Sequence, residues 1–114
     1  MPHYAPDAAS VITSARDRGA LTHLVAPVTS KAGALDEIGS ALDCPSWYGR
    51  NLDALYDCLT DLSWLPDGEH VLVWAGHRLL ATADPVSYRD VLQVLDDAVA
   101  AGPGRPLLVV LTDA

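Results

Sequence analysis

The chain has 114 residues, half of them hydrophobic, with a formal net charge of −8 and a pI near 4.5. That length suits one domain able to bury a core without staples. The acidity excludes a nucleic-acid backbone or an anionic membrane surface as partner and favours a basic protein.

Residues 1–7 hold two prolines and little pattern, which reads as a mobile tail. "DAASVITSARDRG" follows as a short helix ending at Gly19, with Val11, Ile12 and Ala15 as a thin apolar face. Three apolar runs then stand out: "LTHLVAPV" at 21–28, "HVLVWAG" at 70–76 and "LLVVL" at 107–111. The last two lack polar alternation, the pattern of a strand buried on both faces of a parallel sheet.

Helices are expected between these runs. In 33–43, Leu35, Ile38 and Leu42 recur at spacings of three and four, and Pro45 is expected to end the helix. In 51–62, Leu52, Leu55, Leu59 and Leu62 form one stripe, with Asn51 as N-cap and Asp53 in the first turn facing the positive end of the dipole. Residues 77–86 read as an irregular connection with one helical turn. From 87 to 102, Ser87 and Asp90 resemble a capping box, Val91, Leu92, Leu95, Ala98 and Val99 form the apolar face, and Gly102 stops the helix. "PGRP" turns into the last strand. The pattern predicts a small α/β domain with a three-stranded parallel sheet flanked by helices, and a separate N-terminal extension over 1–20.

No dinucleotide or phosphate loop is present, and no Cys or His pair has zinc-finger spacing. Cofactors are therefore expected to be none. His23 and His70 lie in or beside strands, where a structural role is expected. Cys58 stands among carboxylates, which raise a thiol pKa and disfavour a nucleophile. With two cysteines, no signal peptide in "MPHYAPDAAS" and no apolar run near the roughly 20 residues that span a bilayer, the chain reads as soluble and cytoplasmic with reduced thiols, a Cys44–Cys58 bridge staying open only if the fold brings their Cα atoms within about 7 Å.

The distinctive segment is "CPSWYGRNLDALYDCLTDLSW", residues 44–64. Asp53, Asp57 and Asp61 recur every fourth residue with no Lys or Arg between them. Like charges at that spacing cost about 0.2–0.5 kcal/mol per pair, so a face made for solubility alone would mix signs. Trp47, Tyr48 and Tyr56 lie beside the stripe although leucines already fill the apolar face. Aromatics next to concentrated charge suit a protein interface better than an enzyme or a cation site, although Asp53 and Asp57 one turn apart leave both open.

This segment resembles the signature of the barstar family, intracellular inhibitors of barnase-type ribonucleases. The resemblance rests on Tyr48, Gly49, Asn51 to Leu55, and Asp57 to Thr60. It extends through "LQVLDDAVAAG" at 92–102 and the last two strands, covering roughly residues 20–112. It implies a three-stranded parallel fold and a binding function without catalysis, the helix and its preceding loop plugging a nuclease active site. By position, Trp47 matches an aromatic that stacks on the catalytic histidine. Gly49 and Asn51 match contacts at the mouth. Asp53 and Asp57 match carboxylates facing basic residues, Asp57 in the phosphate position. Tyr56 and Thr60 match further contacts on the helix, and Asp97 a peripheral acid on the last helix.

A basic microbial ribonuclease bound one to one is the implied partner, the free chain being a monomer. The family's best-known member has Glu where Trp64 stands, an uncharged pair where Asp61 and Leu62 stand, and Trp in place of Tyr56. These departures leave open an immunity protein or adaptor for another basic toxin.

Overall fold

The computed structural model describes residues 2–46, 48–102 and 104–114. Within them, strands β1 (His3–Ala5), β2 (Leu21–Val25), β3 (His70–Trp74) and β4 (Leu107–Thr112) form one parallel sheet in the order β1-β4-β3-β2. The α/β class and parallel sheet agree with the sequence pattern; the strand count does not. The fourth strand comes from residues 3–5, expected in a mobile tail, which pair with Val110–Thr112. Three residues, two of them exposed, carry almost no hydrophobic signal. Backbone pairing to a waiting sheet edge makes this strand.

β3 and β4 occupy the centre of the sheet and are buried along nearly their whole length. Alternate side chains point to opposite layers. Val71, Val73 and Val110 face helix α1 (Ala8–Asp17), whose Ala15 is fully buried against them. Leu72, Trp74, Val109 and Leu111 face the larger core beneath α2 (Lys31–Ala41), α3 (Leu52–Asp61), α4 (Arg78–Ala83) and α5 (Pro85–Ala100). α1 leaves β1 at one edge and delivers the chain to β2 at the other, so this single helix spans one face of the sheet.

Local capping chemistry moves several boundaries. α2 begins two residues earlier than expected because the Ser30 hydroxyl accepts the Gly33 N–H at 3.0 Å. It ends at Ala41, and the chain reverses at Asp43 with φ 51°, ahead of Pro45. α5 is capped by Asp84 and not by Ser87. The Asp84 carboxylate accepts the Ser87 N–H at 3.1 Å and its hydroxyl at 2.6 Å, with Pro85 opening the helix. Residues 78–83, expected to be mostly irregular, form α4, whose Leu80 is fully buried in the main core.

His23 and His70 are structural, as expected. Their Nε2 and Nδ1 atoms lie 2.8 Å apart, and their outer nitrogens lie 3.0 Å from the Ala41 carbonyl and 2.8 Å from the Pro66 carbonyl. The pair ties the end of α2 and the segment after α3 to the sheet. No described helix is long and apolar enough to cross a membrane.

Candidate protein-binding face

α3 separates its two faces sharply. Leu55, Cys58 and Leu59 are fully buried, as is Leu62 just beyond its end. Fully burying a leucine is worth about 1.5–3 kcal/mol, so this side fixes the helix axis and rotation. The opposite side presents Asp53, Asp57 and Asp61 to solvent, with Tyr56 at 37% exposure near the boundary. Among the described residues, none of these three aspartates forms an ion pair within 4 Å with a basic group. Their field is left to solvent and to whatever docks.

Both ends of α3 are chemically closed. At the start, the Asn51 side-chain oxygen accepts the Ala54 N–H at 2.8 Å, the predicted N-cap. At the far end, Leu62 adopts a left-handed conformation with φ 53° and returns its N–H to the Cys58 carbonyl. The Gly104 N–H caps the Thr60 carbonyl at 3.1 Å. A Cβ on Gly104 would stand 2.6 Å from the Asp61 carbonyl oxygen, so only glycine lets this loop approach. Pro103, in the predicted turn before the last strand, lies outside the described residues.

The segment before α3 is held by side chains. Tyr48 donates its hydroxyl to the Leu35 carbonyl at 2.9 Å and lays its ring over Gly39 of α2. A Cβ at Gly39 would lie 2.5 Å from that ring. Burial, with Asp36 nearby, pushes the Tyr48 hydroxyl up to about 12. Arg50 takes a left-handed φ of 54° and pairs with Asp36 at 3.3 Å in the open. A groove of about 600 Å³ runs between α2 and this segment, lined in part by Asp36, Glu37, Asp43 and Tyr48.

Cys44 and Cys58 are joined in a disulfide, with Cα atoms 6.3 Å apart. This corrects the expectation of reduced thiols. The composition argument rested on the number of cysteines. The fold brings Cys44, three residues beyond α2, against the buried face of α3, within bridging distance.

The predicted contact residues that the structure describes fall into three groups. Asp53, Tyr56 and Asp57 are exposed on α3, with Gly49 exposed at its approach. Asn51 and Thr60 already serve α3 internally: Asn51 caps it, and the Thr60 hydroxyl donates to the Tyr56 carbonyl at 2.9 Å. Asp97 is exposed on α5, where Gln93 donates to it at 2.9 Å, and α5 packs directly beside α3. Trp47 lies outside the described residues. Trp64 turns inward, its indole N–H donating to the Leu42 carbonyl at 2.9 Å and its ring packing on the main core.

Sequence reasoning missed the anchoring roles of Tyr48, Gly39 and Gly104. One signal was present for the first two: a glycine placed mid-helix, four residues after Leu35 and shortly before an aromatic loop. A helical glycine costs about 1 kcal/mol relative to alanine and invites a packing explanation. Nothing local marks Gly104, because its partner lies more than forty residues away.

Comparison with known proteins bears on this face. The model of the family described as Barstar (barnase inhibitor) matches residues 21–112. A Bacillus subtilis (strain 168) protein named "Putative ribonuclease inhibitor YrdF" is 58% identical over 63 residues, covering 55% of this chain and 66% of that protein, just under two thirds of its length. With the family model covering most of the chain, including the whole of the acidic helix and the loop before it, the protein belongs to the barstar family.

Proposed function

We propose that the protein inhibits a basic, barnase-type extracellular ribonuclease by inserting α3 and its preceding loop into the enzyme's active site, protecting the cell that makes both. The observation that carries this is the charge arrangement on α3. Asp53 and Asp57 are exposed one turn apart on a helix whose other face is completely buried, and among the described residues no internal cation pairs with them. A ribonuclease that cleaves RNA gathers cationic side chains around a phosphate. Asp57 takes the phosphate's place there, accepting charge-assisted hydrogen bonds in a desolvated pocket, while Asp53 neutralises a neighbouring cation. Because core leucines hold α3, little side-chain and backbone freedom is lost on docking. Repulsion along the aspartate stripe is relieved as the basic site closes over it. Tyr56 and Trp47 supply the aromatic contacts, Gly49 and Asn51 line the approach, Thr60 adds a polar contact further along α3, and Asp97 supplies a peripheral charge.

Support comes from the family, from the name of the Bacillus relative and from the net charge of −8, which steers a cationic enzyme toward this face. The test is titration of purified barnase-type ribonucleases while following RNA cleavage. Cleavage should cease at about one to one. Asp57→Ala should weaken inhibition by about 2–5 kcal/mol, roughly thirtyfold to several thousandfold. That is the range for truncating one partner of a buried charged pair, to which the barnase–barstar complex itself contributes. Inhibition unchanged in Asp57→Ala, or absent across a broad panel, refutes the proposal.

A further inference from the structure

The Cys44–Cys58 bond closes a segment that contains Gly49, Asn51, Asp53, Tyr56 and Asp57, and in sequence also Trp47. One end is Cys58, fully buried on the underside of α3 next to exposed Asp57. The other is Cys44, partly exposed, whose N–H donates to the Gly39 carbonyl at the end of α2. Before α3, the described residues make few main-chain bonds to the rest of the fold. Among the described residues of 45–50, the one main-chain donor in use is the Tyr48 N–H, and it returns to Pro45 inside the same loop. Besides the disulfide, the described residues of the loop are held by the Tyr48 hydroxyl and ring, by the Asn51 amide donating to the Gly49 carbonyl at 3.5 Å, and by the exposed Arg50–Asp36 pair, a contact worth little in water. The disulfide is therefore the covalent strut between the loop and the helix that together present the acidic face.

We propose that the Cys44–Cys58 disulfide is a redox clamp on this face: closed, it holds the loop in the docking conformation; opened by a cellular dithiol, it frees the loop and lowers affinity for the partner. The clamp rests on the function proposed above. The chemistry is ordinary thiol–disulfide exchange. A thiolate of the dithiol attacks the sulfur of Cys44, the accessible end. The Cys44–Cys58 bond breaks, its electron pair leaves on the Cys58 sulfur, and that sulfur takes up a proton. The dithiol's second thiolate then attacks its own sulfur in the mixed disulfide and expels Cys44, which is protonated in turn. Two electrons and two protons pass to the protein, and the dithiol leaves as a disulfide. The reverse exchange with a disulfide oxidant closes the clamp.

The oxidised protein, the protein reduced with dithiothreitol and then freed of reductant without air, and Cys44→Ser are compared, all well below their melting temperatures. Two measurements are made: inhibition of a barnase-type ribonuclease, and the rate of trypsin cleavage after Arg50. Opening the clamp should weaken inhibition about tenfold, the cost of ordering one or two loop side chains on binding, and should speed cleavage at Arg50. Equal inhibition with equal cleavage, even if the reduced form melts earlier, overturns the proposal and leaves the bond a stabilising crosslink. Inhibition by neither form refutes the ribonuclease function and the effect on affinity with it. The Arg50 cleavage contrast then decides the clamp separately, persisting if the loop is freed and vanishing if it is not.

Discussion

Replacing Gly39 with alanine tests how the acidic face is held in place. Gly39 lies inside α2, so in an isolated helix alanine would be better by about 0.5–1 kcal/mol. Here the new methyl would stand 2.5 Å from one ring carbon of Tyr48 and 3.0 Å from the next. The ring must move, because the methyl is fixed to a helix backbone packed in the core. Overpacking of this kind costs about 1–3 kcal/mol, and displacing the ring also breaks the bond from the Tyr48 hydroxyl to the Leu35 carbonyl, worth about 0.5–1.5 kcal/mol. Set against the helix gain, Gly39→Ala should destabilise by about 0.5–4 kcal/mol. The sharper expectation is a change of sign. In a Tyr48→Ala background the obstacle is gone, and Gly39→Ala should stabilise by up to about 1 kcal/mol. Urea unfolding of the four proteins measures both effects and their coupling. If Gly39→Ala is neutral or stabilising with Tyr48 present, the ring does not clamp the loop onto α2. The anchoring of the recognition segment would then need another cause.

Trp64→Phe keeps the ring in the core but removes the donor to Leu42, so unfolding should become easier by about 1 kcal/mol with inhibition unchanged; a large loss of inhibition with intact stability would make Trp64 a partner contact. His77 is buried, and burial together with the adjacent Arg78 holds its pKa below the ordinary 6.5; Asp113 opposes this weakly, and Tyr88 and Tyr4 pack on the ring. Folding therefore favours the neutral ring. Its contribution to stability should be full above about pH 6.5 and decline as pH falls from there toward the lowered folded value; His23, also lowered by burial, adds to the same slope in urea midpoints, which His77→Gln should reduce but not abolish. The carboxylates of Asp7 and Asp84, lowered by their bonds to Ser10 and Ser87, should add a separate loss below about pH 4. Association with the ribonuclease should slow as salt rises through 0.1 M, where the screening length is about 10 Å; a stopped-flow rate independent of salt would contradict steering by the acidic face.

Much of the fold and site was legible in the chain because the determining chemistry is local. The unbroken apolar runs at 71–74 and 107–111 marked the two central strands, since a strand covered on both faces can dispense with polar alternation. Asn51 announced the start of α3, because an N-cap needs only its own side chain and a backbone N–H three residues on. The Leu55–Leu59 spacing set which side of α3 is buried and, by subtraction, that Asp53 and Asp57 face solvent. The segment 48–60 also carried the family likeness.

Tertiary structure decided what depends on residues far apart in the chain. β1 exists because Val110–Thr112 offer an open edge, a fact that His3–Ala5 do not contain. Trp64 packs against the core because the Leu42 carbonyl, at the end of α2, lies within its reach. Gly104 was required because the chain returns from α5 directly over the last turn of α3. The cysteines were bridged because two helices bring them together, which their number alone could not foretell. The sequence by itself thus determined which residues form the acidic helix and which way it faces, since periodicity and capping act within a few residues. How the loop beside that helix is held depended on contacts that only the packed chain makes. Those contacts join distant segments through single atoms, and they leave no periodic trace.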